Sequence, residues 1–441
     1  MKRYEAYKNS GVTGNELIPE GWYAVKTKRV LSGLQDGTHG TFSRTDNGYP
    51  LLSAKNIQDN GIVIDENESY ISLKDYEAIV SHGFPRKNDV ALCCVGTIGR
   101  CCIYEKDFPM AFQRSVTFLR PNDKITSRFL MYSIKASYFQ DQLKQLAKAS
   151  AQSGIYLNDV ANTLLFIPTL LEQKAITAYL DYKVGQIDSA VSAINAQIED
   201  LKAYRQSVIS EAVTKGLDKN AKMKDSGIEW IGEIPERWGK TKIKHLFTVV
   251  AGATPESTKE SFWDGDIAWI TPADFKTNDH FVEKGRKTIT AEGYDSCATT
   301  LVPQGSIIFS KRAPIGSVVI AKSPLCTNQG CLSCVPKPGV SSDFYYYAMS
   351  VFTAAFEMKG SGTTFKEISA FDFSDFPMPN PSLEEQKAIA AYLDYKVGQL
   401  NEAISALDAQ RTDLNVLKQA IISEAVTGKI DVRDWTPSVE Q

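Results

Sequence analysis

Two Glu-x-Lys triplets are the residues of this sequence whose types and spacing come nearest to a catalytic site. They span Glu172–Lys174 and Glu385–Lys387, and an aspartate lies upstream of each, Asp159 and Asp375. Carboxylates hold the divalent cations of nucleases, but a site of this kind would need the triplet on a β-strand. Here each triplet opens a helix, where a capping box already accounts for the glutamate. The pattern therefore disfavours nuclease chemistry.

Other catalytic and metal-binding patterns are absent from the sequence. It contains no glycine-rich dinucleotide loop, no GxxxxGK[ST] phosphate loop, and no Asn-Pro-Pro or Asp-Pro-Pro motif to grip a flipped adenine. Cys331 and Cys334 form a CxxC, but neither a second CxxC nor a histidine pair completes a zinc site. The sequence predicts a chain without catalysis or a metal of its own. A single-chain enzyme with an unrecognised site is the alternative.

Polar loop residues that could read DNA are the remaining candidates. Arg, Lys, Asn and Gln pair with base edges, while Ser and Thr suit phosphates. The candidate DNA-binding residues are His39, Thr41, Arg44, Lys55, Asn56, Arg100, Gln113, Arg114, Ser153, Tyr156, Thr254, Lys259, Trp269, Thr271, Lys276, Lys311, Arg312, Asn328, Gln329, Thr363, Thr364 and Lys366. Loops are polar in any protein, and a tryptophan such as Trp269 is more often a core residue. Each residue is therefore a hypothesis about DNA contact.

Two predicted hairpins must position many of these side chains. Residues 88–104 and 304–321 each contain two β-rich runs around a turn, Gly-Thr-Ile-Gly in the first and Ala-Pro-Ile-Gly in the second. Aligning the two segments pairs Ile98 with Ile315 and Gln113 with Gln329. Helices are expected near 125–148 and 341–358. One mixed α/β fold with unlike loops is typical of two recognition modules that read different things.

A duplicated helix follows each module. Glu172–Gln186 and Glu385–Gln399 agree at fourteen of fifteen positions, at an offset of 213 residues. Behind capping boxes that begin at Thr169 and Ser382, apolar residues recur at spacings of three and four, which predicts two long helices packed as a coiled coil. The charged residues Arg205, Arg411 and Lys418 interrupt the seam and would fix its register. A kink or a close helix crossing is expected at Gly185 and Gly398.

Composition limits the class of protein. A chain of 441 residues with 43% hydrophobic content is expected to be soluble, with two to four domains. No apolar run is long enough to cross a bilayer and no secretion signal is evident, so a cytoplasmic location is expected. Cys93–Cys94 and Cys101–Cys102 lie in strand-like stretches typical of buried, reduced thiols. With a net charge of −3, any DNA contact must use local patches or be shared with a partner.

Several stretches together resemble the specificity (S) subunit of type I restriction-modification systems. They are DGTHGTF, the lead-in DSGIEWIGEIPERW, the segment TPESTKESFWDGDIAWITPADF, and the EQKAI…LKAYRQSVISEAVT helix. The resemblance covers nearly the whole chain. It implies an α+β fold in which two sheet-centred α/β target-recognition domains are separated by two long antiparallel coiled-coil helices, with a pseudo-twofold internal repeat. The implied domains are 1–168 and 217–381 for target recognition (the latter with the linker), 169–216 and 382–429 for the conserved helices, and 430–441 for the tail.

The resemblance also implies partners. Each recognition domain would read one half of a split double-stranded DNA sequence, and helix length would set the gap between the halves. The helices would dock two methyltransferase (M) subunits, and nuclease/translocase (R) subunits would join the hetero-oligomer. S-adenosylmethionine, Mg and ATP would belong to those partners, with no cofactor in this chain. The expected M-subunit interface comprises Tyr179, Tyr182, Lys183, Tyr204, Tyr392, Tyr395 and Lys396.

Two other functions stay open on sequence grounds. A coiled-coil adaptor could bind proteins rather than DNA, which the near-neutral charge favours slightly. A stand-alone DNA-binding regulator would act without M or R subunits. One departure from the family pattern is local: the second helix is entered through MPNPS, but the first through IPTLL.

Overall fold

The computed structural model describes residues 2–12, 15, 17–105, 108–149, 154–275, 279–312, 314–361 and 366–437. Residue contacts divide the chain into two compact units. Unit 1 comprises Met1–Asn195 and Ala409–Gln441, and unit 2 comprises Ala196–Asp408. Across the described ranges, no helix combines the length and the apolar character needed to cross a membrane.

The first half of the chain alternates short strands and helices before a long helix. Its elements are β1 (Tyr7–Asn9), β2 (Leu17–Pro19), β3 (Tyr23–Lys26), β4 (Leu31–Asp36), β5 (Tyr49–Leu52), β6 (Ile57–Gln58), β7 (Gly61–Ile62), β8 (Tyr70–Ile71), α1 (Leu73–Val80), β9 (Val90–Cys93), β10 (Cys101–Ile103), β11 (Ala111–Phe112), β12 (Val116–Pro121), α2 (Ser127–Lys135), α3 (Ser137–Ala149), α4 (Leu157–Asn162), β13 (Leu164–Ile167) and α5 (Leu170–Lys215).

The second half repeats this plan. Its elements are β14 (Met223–Asp225), β15 (Glu233–Pro235), β16 (Gly239–Lys242), α6 (Ile243–Leu246), β17 (Phe247–Ala251), β18 (Trp263–Ile270), β19 (Phe281–Val282), β20 (Lys287–Ile289), α7 (Ala291–Asp295), β21 (Ile307–Ser310), β22 (Val318–Ala321), β23 (Cys326–Thr327), β24 (Cys331–Pro336), α8 (Ser342–Val351), α9 (Thr353–Lys359), α10 (Ala370–Ser374), β25 (Pro377–Asn380) and α11 (Leu383–Val426).

Both predicted hairpins are present. In unit 1, β9 and β10 pair antiparallel with Leu92 opposite Cys101, in a sheet of order β10-β9-β12-β4. In unit 2, β21 and β22 pair antiparallel with Phe309 opposite Val318, in a sheet of order β17-β24-β21-β22-β19. A smaller sheet accompanies each, β11-β5-β8 in unit 1 and β20-β18-β23 in unit 2. The predicted α+β fold, one plan used twice, is confirmed.

The strands of the unit 1 hairpin are buried on both faces. Val90 and Leu92 point into one core cluster, while Ala91 and Cys93 point into another, as strand alternation requires. Burial raises the pKa of the Cys94 thiol to about 12, although the Thr117 hydroxyl opposes the shift. These cysteines are therefore unreactive core residues, as predicted.

The long helices begin at the predicted capping boxes. The Thr169 hydroxyl accepts a hydrogen bond from the Glu172 N–H, and the Ser382 hydroxyl accepts one from the Glu385 N–H, at 3.3 Å in both cases. The loops that enter the two helices differ in sequence, yet both helices start at the same repeated position. The departure from the family pattern is thus confined to the loop.

Each half begins with a short lead-in, residues 7–22 in unit 1 and 223–238 in unit 2, and the tryptophan that ends it fixes the start of the long helix in the same unit. Trp22 Nε1 donates to Glu172 Oε1 at 3.3 Å in unit 1, and Trp238 Nε1 donates to Glu385 Oε1 at 3.1 Å in unit 2. Both indoles are buried to 1% exposure. The repeated Glu is therefore part of the packing between lead-in and helix, which explains why it recurs without a metal site.

The helices run antiparallel where they meet, and the predicted seam charges set their register. In unit 1, Lys418 Nζ donates to Asp188 Oδ1 at 2.7 Å and Arg411 Nη1 donates to Asn195 Oδ1 at 3.1 Å. In unit 2, Arg205 donates to Asn401. Residue numbers fall along one helix as they rise along the other, which is the antiparallel register.

The two helical glycines differ from the expectation. A Cβ built on Gly185 or Gly398 would meet no heavy atom within 4 Å. The expectation of a close helix crossing at these positions is therefore wrong, because the space beside each glycine is open.

Candidate nucleic-acid interface

Three chain segments meet at one corner of unit 1 and carry several of the candidate residues. Thr38 N donates to Phe112 O at 2.7 Å, and Arg114 N donates back to Thr38 O at 2.9 Å. Gln113 N donates to Leu52 O at 2.8 Å, which brings in the end of β5. The loop that follows β4, the β11–β12 turn and the turn after β5 are thereby fixed together. We call this arrangement the unit 1 corner.

Unit 2 contains the same corner. Ala253 N donates to Thr327 O at 2.9 Å, and Asn328 N donates to Ile270 O at 2.9 Å. Each corner needs a glycine: a Cβ on Gly37 would lie 2.3 Å from Phe112 O, and one on Gly252 would lie 2.3 Å from Thr327 O. Such distances exclude any side chain. The glycine lets two backbones approach and so places the first loop against the second.

The hydrogen bonds also correct the alignment of the two halves. Thr38 bonds to the residue before Gln113, and Ala253 bonds to the residue before Asn328. Gln113 is therefore equivalent to Asn328, and Arg114 to Gln329. The expected pairing of Gln113 with Gln329 is wrong by one residue, because the strand register decides the equivalence and the shared residue type does not.

The side chains at the two corners differ strongly. In unit 1, Arg114 is exposed, and His39 is 64% exposed with Nε2 3.5 Å from Asp36 Oδ2. In unit 2, the hydroxyl of exposed Thr254 donates to the amide oxygen of exposed Gln329. One corner thus presents an exposed arginine and histidine, and the other presents neutral hydrogen-bonding groups. Unlike groups on like scaffolds are suited to reading unlike bases.

The turn of the β21–β22 hairpin in unit 2 carries two cations, and both are paired. Lys311 Nζ lies 2.7 Å from Glu367 Oε1, and Arg312 Nε lies 2.8 Å from Glu367 Oε2. The hydrogen bond from Lys311, with help from Arg312 and against the effect of burial, lowers the pKa of the Glu367 carboxyl. Two cations share one carboxylate, so this turn keeps a net positive charge while its side chains are held in place.

Comparison with known proteins identifies the family of the chain. The family model described as the type I restriction modification DNA specificity domain matches residues 39–200 and 235–407. The chain belongs to this family. The two matched regions contain most of each recognition segment and part of each long helix. A chain with two such regions is a DNA specificity subunit of type I restriction-modification, with a bipartite target.

Individual relatives agree. The MjaIX specificity subunit of Methanocaldococcus jannaschii is 39% identical over 168 residues, which is 37% of this chain and 39% of that protein. The putative MjaX specificity subunit of the same organism is 27% identical over 97% of this chain and 98% of its own length. A chain from a solved type I R-M system has the same fold, with a TM-score of 0.70 at 19% identity, covering 94% of this chain and 99% of that chain.

Asn56 and Trp269 of this specificity subunit are wrongly placed among the DNA-binding candidates. Asn56 is 1% exposed, and its Nδ2 donates to Val63 O at 3.0 Å and to Glu68 Oε2 at 2.6 Å. Trp269 is 5% exposed, and its Nε1 donates to Ala253 O at 3.0 Å. Both side chains use their polar atoms inside the fold, because burial demands a partner for each. They support the corners from within.

Other candidates are partly occupied by neighbours in the chain. Thr271 donates its hydroxyl to Asp274 Oδ2 at 2.7 Å, and Arg100 Nη1 donates to Ile57 O at 3.3 Å. Lys259 lies 2.9 Å from Glu292, and Lys55 lies 3.1 Å from Glu68. Thr41, Arg44, Tyr156 and Lys366 are exposed as well. Four candidates lie outside the described residues: Ser153, Lys276, Thr363 and Thr364.

The carboxylates of the Glu-x-Lys patterns are dispersed among structural roles. Asp375 lies 2.7 Å from Lys242 and 2.8 Å from Lys244, which lower its pKa to about 2. Asp159 Oδ2 accepts from the Tyr156 N–H at a helix start. Within the ranges that the structure covers, no group of three or more His, Cys, Asp or Glu side chains could hold a metal ion.

The expected M-subunit residues are unevenly exposed. Tyr179 is 1% exposed and its ring lies edge-on to Trp435 at 5.3 Å, so the expectation of a partner contact is wrong for it. Tyr182 also packs on Trp435, at 5.4 Å. The exposed members are Tyr204, Tyr392 and Tyr395, at 59%, 37% and 63%, with Lys396 beside Tyr395, while Lys183 lies beside Tyr182. Packing against Trp435 in the C-terminal segment accounts for the burial of Tyr179 and the partial burial of Tyr182.

Proposed function

We propose that each unit reads one half of a split DNA target through its corner, and that the chain performs no catalysis itself. The observation that carries the proposal is the pair of corners. One backbone arrangement is built twice around an obligatory glycine, with an exposed arginine and histidine at one corner and neutral groups at the other. A scaffold duplicated only to bind protein would have no need of this contrast in groups suited to base edges.

The charge of the chain fits work within an assembly. With a net charge of −3, this chain supplies few phosphate contacts by itself, and much of the affinity for DNA would come from partners. We assign methylation to methyltransferase (M) subunits and translocation and cleavage to R subunits. S-adenosylmethionine, Mg and ATP would bind to those partners. Such a complex would act in the cytoplasm, where the chromosome is accessible.

The exposed tyrosines of the long helices are the proposed contacts for M subunits. Tyr204 lies on α5, and Tyr392 and Tyr395 lie on α11. Exposed tyrosines are favoured at interfaces because they bury a large area at a low cost in conformational entropy. Tyr204→Ala and Tyr395→Ala are expected to weaken co-purification with M.

Methylation of unmethylated genomic DNA tests the proposal. Purified M subunit is assayed with and without this chain, and methylated positions are read by single-molecule sequencing. We expect adenine methylation at a split motif only when both proteins are present. Methylation by M alone at the same motif, or no methylation and no gel shift with both present, would refute it. Methyl transfer by this chain alone would refute the assignment of catalysis to partners.

A further inference from the structure

The two units place different polar pairs at one equivalent position of the fold. Leu51 and Trp269 are equivalent, because each pairs in parallel with the short strand that precedes its corner, β11 in unit 1 and β23 in unit 2. On their other side, Leu51 N donates to Ser69 O and Trp269 pairs with Lys287. Ser69 and Lys287 are therefore equivalent. The residues immediately before them, Glu68 and Arg286, are equivalent as well.

The partner of each residue is equivalent too. Asn56 and Asp274 both end the short turn that follows the strand, and both accept a hydrogen bond from the N–H three residues earlier. In unit 1, Asn56 Nδ2 donates to Glu68 Oε2 at 2.6 Å. In unit 2, Asp274 Oδ1 accepts from Arg286 Nε at 2.9 Å. The outer residue of the pair is thus an acid in unit 1 and an arginine in unit 2.

Arg286 is held at one end and exposed at the other. Its side chain is 72% exposed, while that of Asp274 is 5% exposed. Asp274 Oδ1 accepts from both the backbone N–H and the Nε–H of Arg286, and Oδ2 accepts from the Thr271 N–H and hydroxyl. Burial raises the pKa of Asp274, but these hydrogen bonds outweigh burial and leave the pKa low. The carboxylate therefore stays charged and fixes the guanidinium.

This fixed arginine lies next to the unit 2 corner. Asn328 N donates to Ile270 O, immediately before the Thr271–Asp274 turn. A Cβ on Gly330 would lie 3.2 Å from Pro272, in that same turn. Among the described residues, Nη1 and Nη2 of Arg286 form no hydrogen bond or ion pair, so both groups are available for a ligand.

We propose that Arg286 determines specificity in unit 2 by donating from Nη1 and Nη2 to O6 and N7 of a guanine, with Asp274 as the positioning residue. A guanidinium is planar, always charged, and matches these two acceptors in the major groove. Fixing Nε removes rotational freedom before DNA arrives, which favours the bidentate geometry. The inference rests on the proposed function, because it deepens how unit 2 reads its half of the target.

The test uses the full chain co-expressed with its M subunit in a methylation-free host. Wild type, Arg286→Lys and Asp274→Asn are compared by single-molecule sequencing of the methylated sites. We expect one guanine in one half of the wild-type motif to become degenerate in Arg286→Lys, with discrimination falling on the order of 10- to 100-fold. Asp274→Asn should relax the same position to a smaller degree, which a purely structural role would not do.

A matched control and the thermal unfolding temperature complete the design. Lys287 is adjacent and exposed, and Lys287→Gln removes one positive charge without touching the Asp274 pair. It should leave every motif position as specific as in wild type. The inference would be overturned if Arg286→Lys left the motif unchanged. It would also be overturned if Arg286→Lys lowered methylation equally at all sites of an unaltered motif while the unfolding temperature stayed at the wild-type value. Absence of any split motif in wild type would instead refute the proposed function.

Discussion

Glu172 and Glu385 occupy the same position of the repeat but have different partners. Each accepts from a lead-in tryptophan, whereas Glu385 Oε1 also accepts from Arg237 Nε at 2.9 Å and from Nη2 at 2.7 Å. Burial raises the pKa of Glu385, but the hydrogen bonds from Arg237 and Trp238 outweigh it, so its pKa lies below the ordinary 4.5. The charged form of this residue therefore stabilises the folded chain.

Removing Arg237 should reveal this contribution through its dependence on pH. Because the folded pKa is depressed, the stabilisation is present above pH 4.5 and is lost as pH falls through the folded pKa. Arg237 is half exposed and its ion pair is screened by solvent, so we expect Arg237→Gln to lower the free energy of unfolding at pH 7 by a small but measurable amount. In urea unfolding, the difference from wild type should be larger at pH 7 than at pH 3. Lys202→Gln, which breaks an exposed ion pair with Glu199, is the control and should have little effect at either pH. An effect of Arg237→Gln that is equal at pH 7 and pH 3 would contradict the account.

At the residue scale, the identity of a side chain's partner was predictable where that partner lies close in the chain. The capping boxes at Thr169 and Ser382 depend on residues three positions apart and were predictable. The buried Asn56 donates a hydrogen bond to Glu68, twelve residues away. Arg286 donates one to Asp274, also twelve residues away. Polar residue type alone could not separate a buried amide from an exposed guanidinium.

At the scale of elements, the corners depend on glycines that admit no side chain. We expect Gly37→Ala to destabilise the chain by about 1–3 kcal/mol, because the new Cβ would overlap two carbonyl oxygens. Gly21→Ala is the matched control, since a Cβ there meets nothing within 4 Å. Chemical denaturation measures both. Equal, small effects of the two substitutions would show that the corner is not closely packed.

The glycines of the long helices should behave in the opposite way. Gly185 and Gly398 are helical, and a Cβ at either meets nothing within 4 Å. Each substitution by alanine should stabilise the chain by about 1 kcal/mol, from helix propensity. Gly428→Ala should destabilise it, because φ is +72° and a Cβ would lie 2.4 Å from Pro19. Thermal unfolding distinguishes the two groups, and destabilisation by Gly185→Ala would contradict the open space described here.

Elements were predictable because their signals are periodic or repeated. The helices α5 and α11 follow from apolar spacing and the duplicated segment, and the hairpins follow from β-rich runs around glycine turns. The exact equivalence of Gln113 with Asn328 was not, because it depends on hydrogen bonds between β4, β11 and β5, which lie far apart in the chain. The open space beside Gly185 is likewise a property of packing.

At the scale of the whole molecule, each unit takes one end of both long helices. The division falls after Asn195 in α5 and after Asp408 in α11. Inserting four residues at both points adds about 6 Å of helix, at about 1.5 Å per residue. If helix length sets the gap in the target, that gap should grow by roughly two base pairs, at about 3.4 Å each. The methylated motif of the insertion variant measures this, and an unchanged gap would remove the idea of a ruler.

The two-module organisation was predictable because the repeat is nearly identical at the start of its two long helices, whereas the equivalent residues of the two corners were not predictable. The loops that differ between the corners, such as those bearing His39 and Thr254, carry no periodic signal. Their equivalence emerges only from the shared glycine and the bonds around it.

The most direct test asks whether each corner governs its own half of the motif. Arg114→Ala in unit 1 and Gln329→Ala in unit 2 replace equivalent exposed residues, and each variant is co-expressed with M in a methylation-free host. Single-molecule sequencing of the methylated sites should show altered preference in one half for Arg114→Ala and in the other half for Gln329→Ala. Changes in the same half for both variants, or in both halves for either, would contradict the account.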